Sequence, residues 1–364
     1  MLMFPSAEEQ LNLEYINRAR ADPHGEFDLL ISDAATQTAV SDNITSALRF
    51  FDVDMSVLDA DLASYPSVAP LAWNANLAQS ARNHSMLMIA EDTQSHNLPG
   101  EPGLRERFDA AGYTGWNAIS ENIFAYGKDA LHTHAAFYID WGHGPTGLQD
   151  PAGHRDALLS ERYTEIGISM LPETDPATAV GPYVVTEHLG NRVAYQPQLL
   201  GVIIDDTDAD GFYDIGEGLG DVTVSAVAEN GTRVVTSSWA SGGYQLALTA
   251  GSYDVTFSGD LLDGDITNRV TMTDQNLKLD VFAADAVLQT PVWNGGPDDD
   301  NHAGSAGNDT MFGKAGDDTL NGFFGDDTVD GGAGADLLIG GPGSDRIIVD
   351  DAGDRVAESR KWDG

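Results

Sequence analysis

The sequence has no cysteine, almost no lysine and no long apolar run, and each absence excludes something. Without cysteine there is no disulfide framework, no thiolate metal cage and no thiol nucleophile. A Gly-x-Ser-x-Gly nucleophile turn is missing as well. Lysine occurs only at Lys128, Lys278, Lys314 and Lys361, and 58 acidic residues face 18 basic ones for a net charge of −40. Such a surface repels nucleic acid and anionic membranes and favours divalent cations. No apolar stretch is long enough to span a membrane. The opening MLMFPSAEEQ has neither the basic patch nor the apolar core of a Sec signal. What is present is an ordinary apolar content, enough for a real core, in a chain of 364 residues that should hold two or three domains.

The tail from 304 to 348 divides into nines: GSAGNDTMF, GKAGDDTLN, GFFGDDTVD, GGAGADLLI, GGPGSDRII. The first and fourth positions are always Gly and the sixth is always Asp: Asp309, Asp318, Asp327, Asp336 and Asp345. The eighth is always apolar, from Met311 to Ile347. The glycines read as turn residues with φ > 0. The apolar column reads as short strands stacked inward, and the aspartates as carboxylates that repel unless a hard cation lies among them, which suits calcium. These lines resemble RTX nonapeptides, whose fold is a parallel β-roll. Lys314 and the Phe323–Phe324 pair depart from the family's Gly at the second position. A preceding line, GGPDDDNHA, has Asp298 for Gly and His302 for an apolar residue, and reads as a degenerate cap. The resemblance implies export by type I secretion machinery, guided by an uncleaved C-terminal signal, and a roll that folds in extracellular calcium.

A second calcium loop has different spacing. In DTDADGFYDIGE, Asp206, Asp208 and Asp210 fall at positions 1, 3 and 5 and Gly211 at 6. Phe212 at 7 would offer its carbonyl, with Asp214 at 9 and Glu217 at 12. That is the ligand order of an EF-hand loop. Its flanks are strands, not helices: LLGVIID before, and after it Val222, Val224 and Ala226 alternating towards an Asn230–Gly231 hairpin turn. The segment resembles the calcium-stapled B-type repeats of surface adhesins, a small β-sandwich with a structural ion.

The first part of the chain is helix-rich. Ser6 and Glu9 form a capping box opening a helix that Pro23 closes. Leu77, Ala81, His84 and Met88 share one face of a second helix. His132 and His134, two apart on a helix, point to different faces and make no metal pair. The ordered series ARNHSM, QSHN, RERFDAAGY, SENIF, AGHR, EIGISM and VVTEHLG resembles the bacterial branch of the CAP (SCP/pathogenesis-related) superfamily. The resemblance implies an α-β-α sandwich with an open polar cleft lined by two histidines and two acids. Carried over by position, these are His96, Glu121, Asp140 and His154. Asp140 stands where animal members have Glu, Asp156 replaces an Asn, and Glu187 and His188 replace the usual Gln-Asp of the last strand. Two neutral imidazoles, His96 and His154, can hold zinc, with Glu121 or Asp140 as a catalytic base. The same residues can equally tie strand to helix by hydrogen bonds.

The expected architecture is multidomain α+β. An α-β-α CAP sandwich spans 1–195, a calcium-stapled β-sandwich 196–290, an RTX β-roll 291–350 and a C-terminal tail 351–364. The leading functional expectation is a secreted, calcium-binding, non-enzymatic protein that takes an unknown extracellular ligand, a lipid or sterol by resemblance. A zinc-assisted hydrolase or peptidase and an adhesion or matrix component are the alternatives.

Overall fold

The computed structural model describes residues 3–285, 292–304, 309–322, 327–341 and 345–357. Phe323–Phe324 and the last residues of the tail lie outside that set. The chain divides into two compact units, one of residues 1–261 with 267–285, the other of 262–266 with 286–364.

The first unit begins with α1 (Ala7–Ala21), and both bonds of the Ser6/Glu9 capping box are made. Pro23 opens α2 (Pro23–Leu30). The acidic insertion forms β1 (Ile31–Asp33), β2 (Thr38–Ala39), α3 (Asp42–Phe51) and α4 (Met55–Leu62). It has its own buried cluster, in which Ile44, Leu48, Leu58 and Leu62 meet Ile139 and Trp141. Next come β3 (Ala72–Trp73), α5 (Ala75–Ala90), α6 (Leu104–Ala110), β4 (Trp116–Gly127) and α7 (Ala130–Ile139). Helix α8 (Gly153–Leu158), β5 (Glu165–Pro172) and β6 (Tyr183–Arg192) complete the series.

The sheet runs β3-β5-β6-β4, which leaves β4 at an edge. Alternation along β5 assigns the two faces. Ile166, Ile168 and Met170 share a buried cluster with Leu11, Tyr15 and Ile16 of α1 and Phe137 of α7. On the opposite face Gly167 lets α5 approach so closely that a Cβ there would overlap the backbone of Leu77 and Ala78. The result is the expected α-β-α sandwich. His84, with Leu77, Ala81 and Met88, is buried on α5.

Strand β7 (Gln198–Ile204) starts the β-rich part. Strands β8 (Thr223–Ala228), β9 (Arg233–Ser237), β10 (Gly243–Ala247), β11 (Gly251–Ser258), β12 (Ile266–Met272), β13 (Leu277–Lys278) and β14 (Val281–Phe282) follow. They form one sheet β10-β7-β13, with β14 also on β7, and another β12-β11-β8-β9. Val222, Val224, Ala226, Tyr244, Leu246, Tyr253, Val255 and Phe257 are buried, as the alternation predicts. This part is built onto the CAP-like part. Lys278 Nζ lies 2.8 Å from Glu14 Oε2, the Asn276 amide donates to the carbonyls of Pro70 and Thr164, and the Gln245 amide donates to that of Trp73. These contacts place the two in one compact unit, whereas the sequence separates them at 195.

The second unit is a parallel roll. Strands β15 (Val292–Asn294), β17 (Thr310–Phe312), β19 (Thr328–Asp330) and β21 (Arg346–Ile348) form one wall. Strands β16 (Asn301–Ala303), β18 (Thr319–Asn321), β20 (Leu337–Ile339) and β22 (Arg355–Ala357) form the other. Met311, Leu320, Val329 and Leu338 are fully buried between them, so the eighth column is the core. His302 takes its place in β16 and stacks on Trp293 at 4.3 Å. The roll extends past 350: β22 pairs with β20, although Val349 and Ala352 stand where the first and fourth glycines would.

The glycines divide the work differently from expectation. At the fourth position Gly316 and Gly334 do have positive φ (122° and 146°), and so do the second-position residues Gly332 (82°) and Lys314 (81°). The first-position glycines do not. A Cβ on Gly304, Gly313, Gly322, Gly331 or Gly340 would overlap Oδ2 of the aspartate five residues on, so these glycines make room for the carboxylate.

Candidate functional site

Edge strand β4 carries Glu121, while His96 lies in the loop after α5, Asp140 at the end of α7 and His154 on α8. Glu121 lies opposite His188 in the ladder, and Asn122 opposite Glu187. The Glu121 side chain is almost fully buried and takes four donors. His96 Nδ1 donates to Oε1 (2.8 Å), His188 Nε2 to Oε2 (2.8 Å), and the Arg107 guanidinium reaches both oxygens (2.7 and 3.2 Å). Burial opposes its ionisation, but the bonds from His188, His96 and Arg107 win and hold the carboxyl well below the usual carboxylate range. Burial likewise pushes the His188 ring down to about 4, against the pull of Glu121, so that ring is neutral at pH 7. His84 lies on the far side of this group, with Nδ1 2.8 Å from Glu101 Oε1 and Nε2 3.7 Å from Glu121.

Asp140 and His154 make a second pair. Asp140 caps the C-terminus of α7 in the left-handed region (φ 57°) and is fully buried. Its Oδ1 accepts from His154 Nδ1 (2.7 Å) and its Oδ2 from the His154 backbone N–H (2.9 Å). The Asn122 amide contacts the His154 carbonyl (3.4 Å) and Glu187 Oε2 (3.2 Å).

The four residues carried over by position thus form two histidine–carboxylate dyads flanking one edge strand. In each, the carboxylate fixes Nδ1, which leaves Nε2 of a half-exposed His96 and a partly exposed His154 as the available nitrogen. A buried carboxylate on the far ring nitrogen is the arrangement that orients metal-binding imidazoles, so each histidine taken singly has the donor chemistry of a zinc ligand. Neither dyad belongs to a group of three or more convergent ligands among the described residues. Glu121 and Asp140, expected as catalytic bases, are both occupied in orienting histidines. Sequence reading assigned no site role to His84, Glu101, Arg107 and His188. Only the Glu187–His188 departure in the last strand signalled that this strand face had changed.

His132 and His134 point to different surroundings, as their spacing on α7 predicts. His134 Nε2 bonds Glu26 at 2.9 Å, while His132 packs between Phe124 and Trp141, where burial lowers its ring to about 4.

In the 205–217 loop the carboxylates do converge. Asp206, Asp208 and Asp210 bring ligand atoms within 4.8 Å of one another, and so do Asp208, Asp214 and Glu217. Burial and the neighbouring carboxylates raise Asp214, the repulsion expected of a cation cage. Gly211 makes the turn at φ 78°. Phe212 keeps its place between Asp210, whose Oδ1 accepts its N–H (2.8 Å), and Asp214.

In the roll the sixth-position aspartates from Asp318 onwards use one oxygen for the fold. The backbone N–H groups of Asp300, Asp309, Asp318, Asp327 and Asp336 donate to Oδ1 of Asp318, Asp327, Asp336, Asp345 and Asp354, each 18 residues on. The second oxygens of Asp318 and Asp336 are buried and meet no donor among the described residues. Two carboxylate oxygens shut away from water without a donor are costly unless a cation takes them, so these residues fit calcium.

Residues 13–186 match the family described as the Cysteine-rich secretory protein family, CAP. Residues 294–322, 303–338 and 321–356 match the RTX calcium-binding nonapeptide repeat. Solved structures similar over part of the chain include the following three. One is an extracellular protein containing a SCP domain from Bacillus anthracis str. Ames, with 19% identity, 43% of this chain and 45% of that one covered, and TM-score 0.27. Another is an outer surface protein from Borrelia burgdorferi, with 17% identity, 43% and 96% covered, and TM-score 0.27. The third is a cysteine-rich secretory protein from Staphylococcus aureus subsp. aureus Mu50, with 17% identity, 42% and 41% covered, and TM-score 0.22. The chain spans 45% of the length of the first of these. No curated protein matches the sequence. The chain carries a CAP domain within its first unit and, in its second, a β-roll of RTX calcium-binding repeats.

Proposed function

We propose that the chain is an extracellular, calcium-dependent CAP protein whose cleft binds a ligand or partner without catalysing a reaction. The supporting observation is the employment of Glu121 and Asp140. Each is buried and hydrogen-bonded to a histidine, so neither is a free base beside an open position. The chain also offers no cysteine nucleophile. Calcium belongs to the roll and, in this reading, to the 206–217 loop as a structural ion. A roll that folds at the roughly millimolar calcium of extracellular modules supports a role outside the cell, with delivery by type I secretion machinery as part of the same proposal. The ligand class follows the family resemblance, a lipid or sterol.

The outward Nε2 atoms of His96 and His154 favour one second reading, a zinc ion in the cleft. Native mass spectrometry of the full chain in calcium, before and after adding zinc, separates the two. The binding reading expects either a co-purified organic ligand or a protein free of tightly held zinc, with His154→Ala unchanged. One zinc retained by the wild type and lost in His154→Ala would overturn it and call for hydrolase substrates to be screened.

A further inference from the structure

The loop that reads as a cation site is packed into the CAP core. Phe212, at the seventh position of the ligand order, stacks on Tyr15 of α1, with ring centroids 5.3 Å apart and planes 18° from parallel. The guanidinium of Arg18, one turn further along α1, lies 4.3 Å from the Phe212 centroid. Tyr213 is buried in the cluster that contains Leu11, Tyr15 and Ile16. The contact continues inward. Arg18 donates twice to Glu26 (2.7 and 2.9 Å), Glu26 is bonded by His134 of α7 (2.9 Å), and Tyr15 stacks on His134 at 5.5 Å. Two successive residues of the loop therefore hold the helix on which the CAP domain opens, and through it α7.

Phe212 sits between the candidate ligands Asp210 and Asp214, and the loop 206–217 contains five acids and no basic residue. Backbone N–H groups of the loop donate to Asp206, Asp208, Asp210 and Glu217, but the mutual repulsion of the five carboxylates still works against the placement of Phe212 and Tyr213. With a cation, the turn closes around them.

We infer that cation binding at 206–217 locks Phe212 and Tyr213 onto α1, so that the stability of the CAP domain is set by an ion bound outside it and independently of the roll. The inference rests on the reading of this loop as a calcium site. By reciprocity, the packing of α1 tightens the loop's hold on calcium.

Hydrogen exchange on the full chain, in calcium and after chelation, tests it. Amides of residues 7–21 and 205–217 are followed in the wild type, Glu217→Gln and Phe212→Leu. Stacking and cation–π contacts of this kind predict a rise in α1 protection on adding calcium of about tenfold. That rise disappears in Glu217→Gln and shrinks several-fold in Phe212→Leu, while the roll responds to calcium in all three. If Glu217→Gln keeps the full calcium response in both segments, the loop is not the site, and both the site reading and the inference fail. If calcium protects 205–217 but leaves 7–21 unchanged, the loop binds and the clamp is refuted.

Discussion

Glu187 lies on β6 with no exposed surface, its Oε2 facing the Asn122 amide and its Oε1 without a donor among the described residues. Burial pushes its carboxyl up to about 8 from an ordinary 4.5, with the Asn122 bond only partly opposing. The folded protein holds this proton at neutral pH while the unfolded chain releases it. Stability is therefore complete below pH 4.5, falls as pH rises, and levels off above about 8. At roughly 1.4 kcal/mol per pH unit over about 2.5 units, the loss by pH 7 is roughly 3–4 kcal/mol. Glu187→Gln mimics the neutral acid. The assay is urea unfolding at pH 5 and pH 7 in saturating calcium, read by tryptophan fluorescence. The variant should lose most of the destabilisation between the two pH values and be the more stable protein at pH 7. Equal pH dependence in the two proteins would show that Glu187 is ionised in the fold, and the burial argument would be wrong.

Two further predictions concern the roll. Lys314 holds φ at 81°, a region that penalises a side chain. Lys314→Gly should raise the stability of the calcium-loaded roll by about 1 kcal/mol, measured as an upward shift of its calorimetric transition; no shift would mean that the turn is unstrained. Gly331→Ala would drive a methyl into Asp336 Oδ2. It should destabilise the roll by roughly 1–3 kcal/mol and raise the calcium midpoint for β-structure in circular dichroism. An unchanged midpoint would contradict the space-making role of the first-position glycines.

The periodic parts of the fold were legible because periodicity records burial directly. The eighth column of the nonapeptides, the Leu77–Met88 face and the alternation after Val222 all became core. The loop's ligand spacing was equally readable, since the geometry is local. Contacts between distant segments were not. Nothing in the local pattern around Phe212 or Tyr213 says that they pack on Tyr15 and Arg18, so a boundary at 195 looked clean where the structure has a continuous core. The cleft shows the same limit. Family position supplied His96, Glu121, Asp140 and His154, but only side-chain geometry pairs each carboxylate with its own histidine and brings Arg107 and His188 onto Glu121. The rung at 349–357 escaped notice because its glycines are replaced, while its register is kept by Asp354.

Asp354 also shows that the layers of the roll are not equivalent. Its Oδ1 accepts from Asp336 like every other step of the ladder, but its Oδ2 accepts from the N–H groups of Asp350 and Asp351, at 3.1 and 3.0 Å. Its carboxylate is fully provided for by protein donors, and these lower its pKa. Asp318 and Asp336 have an oxygen left over. The second oxygen that Asp318 and Asp336 leave to a cation is, at Asp300 as at Asp354, taken by a backbone N–H, that of Gly296 (2.7 Å) in the case of Asp300. Among the described layers the need for a cation is thus uneven along the roll, greatest where a buried carboxylate oxygen meets no donor.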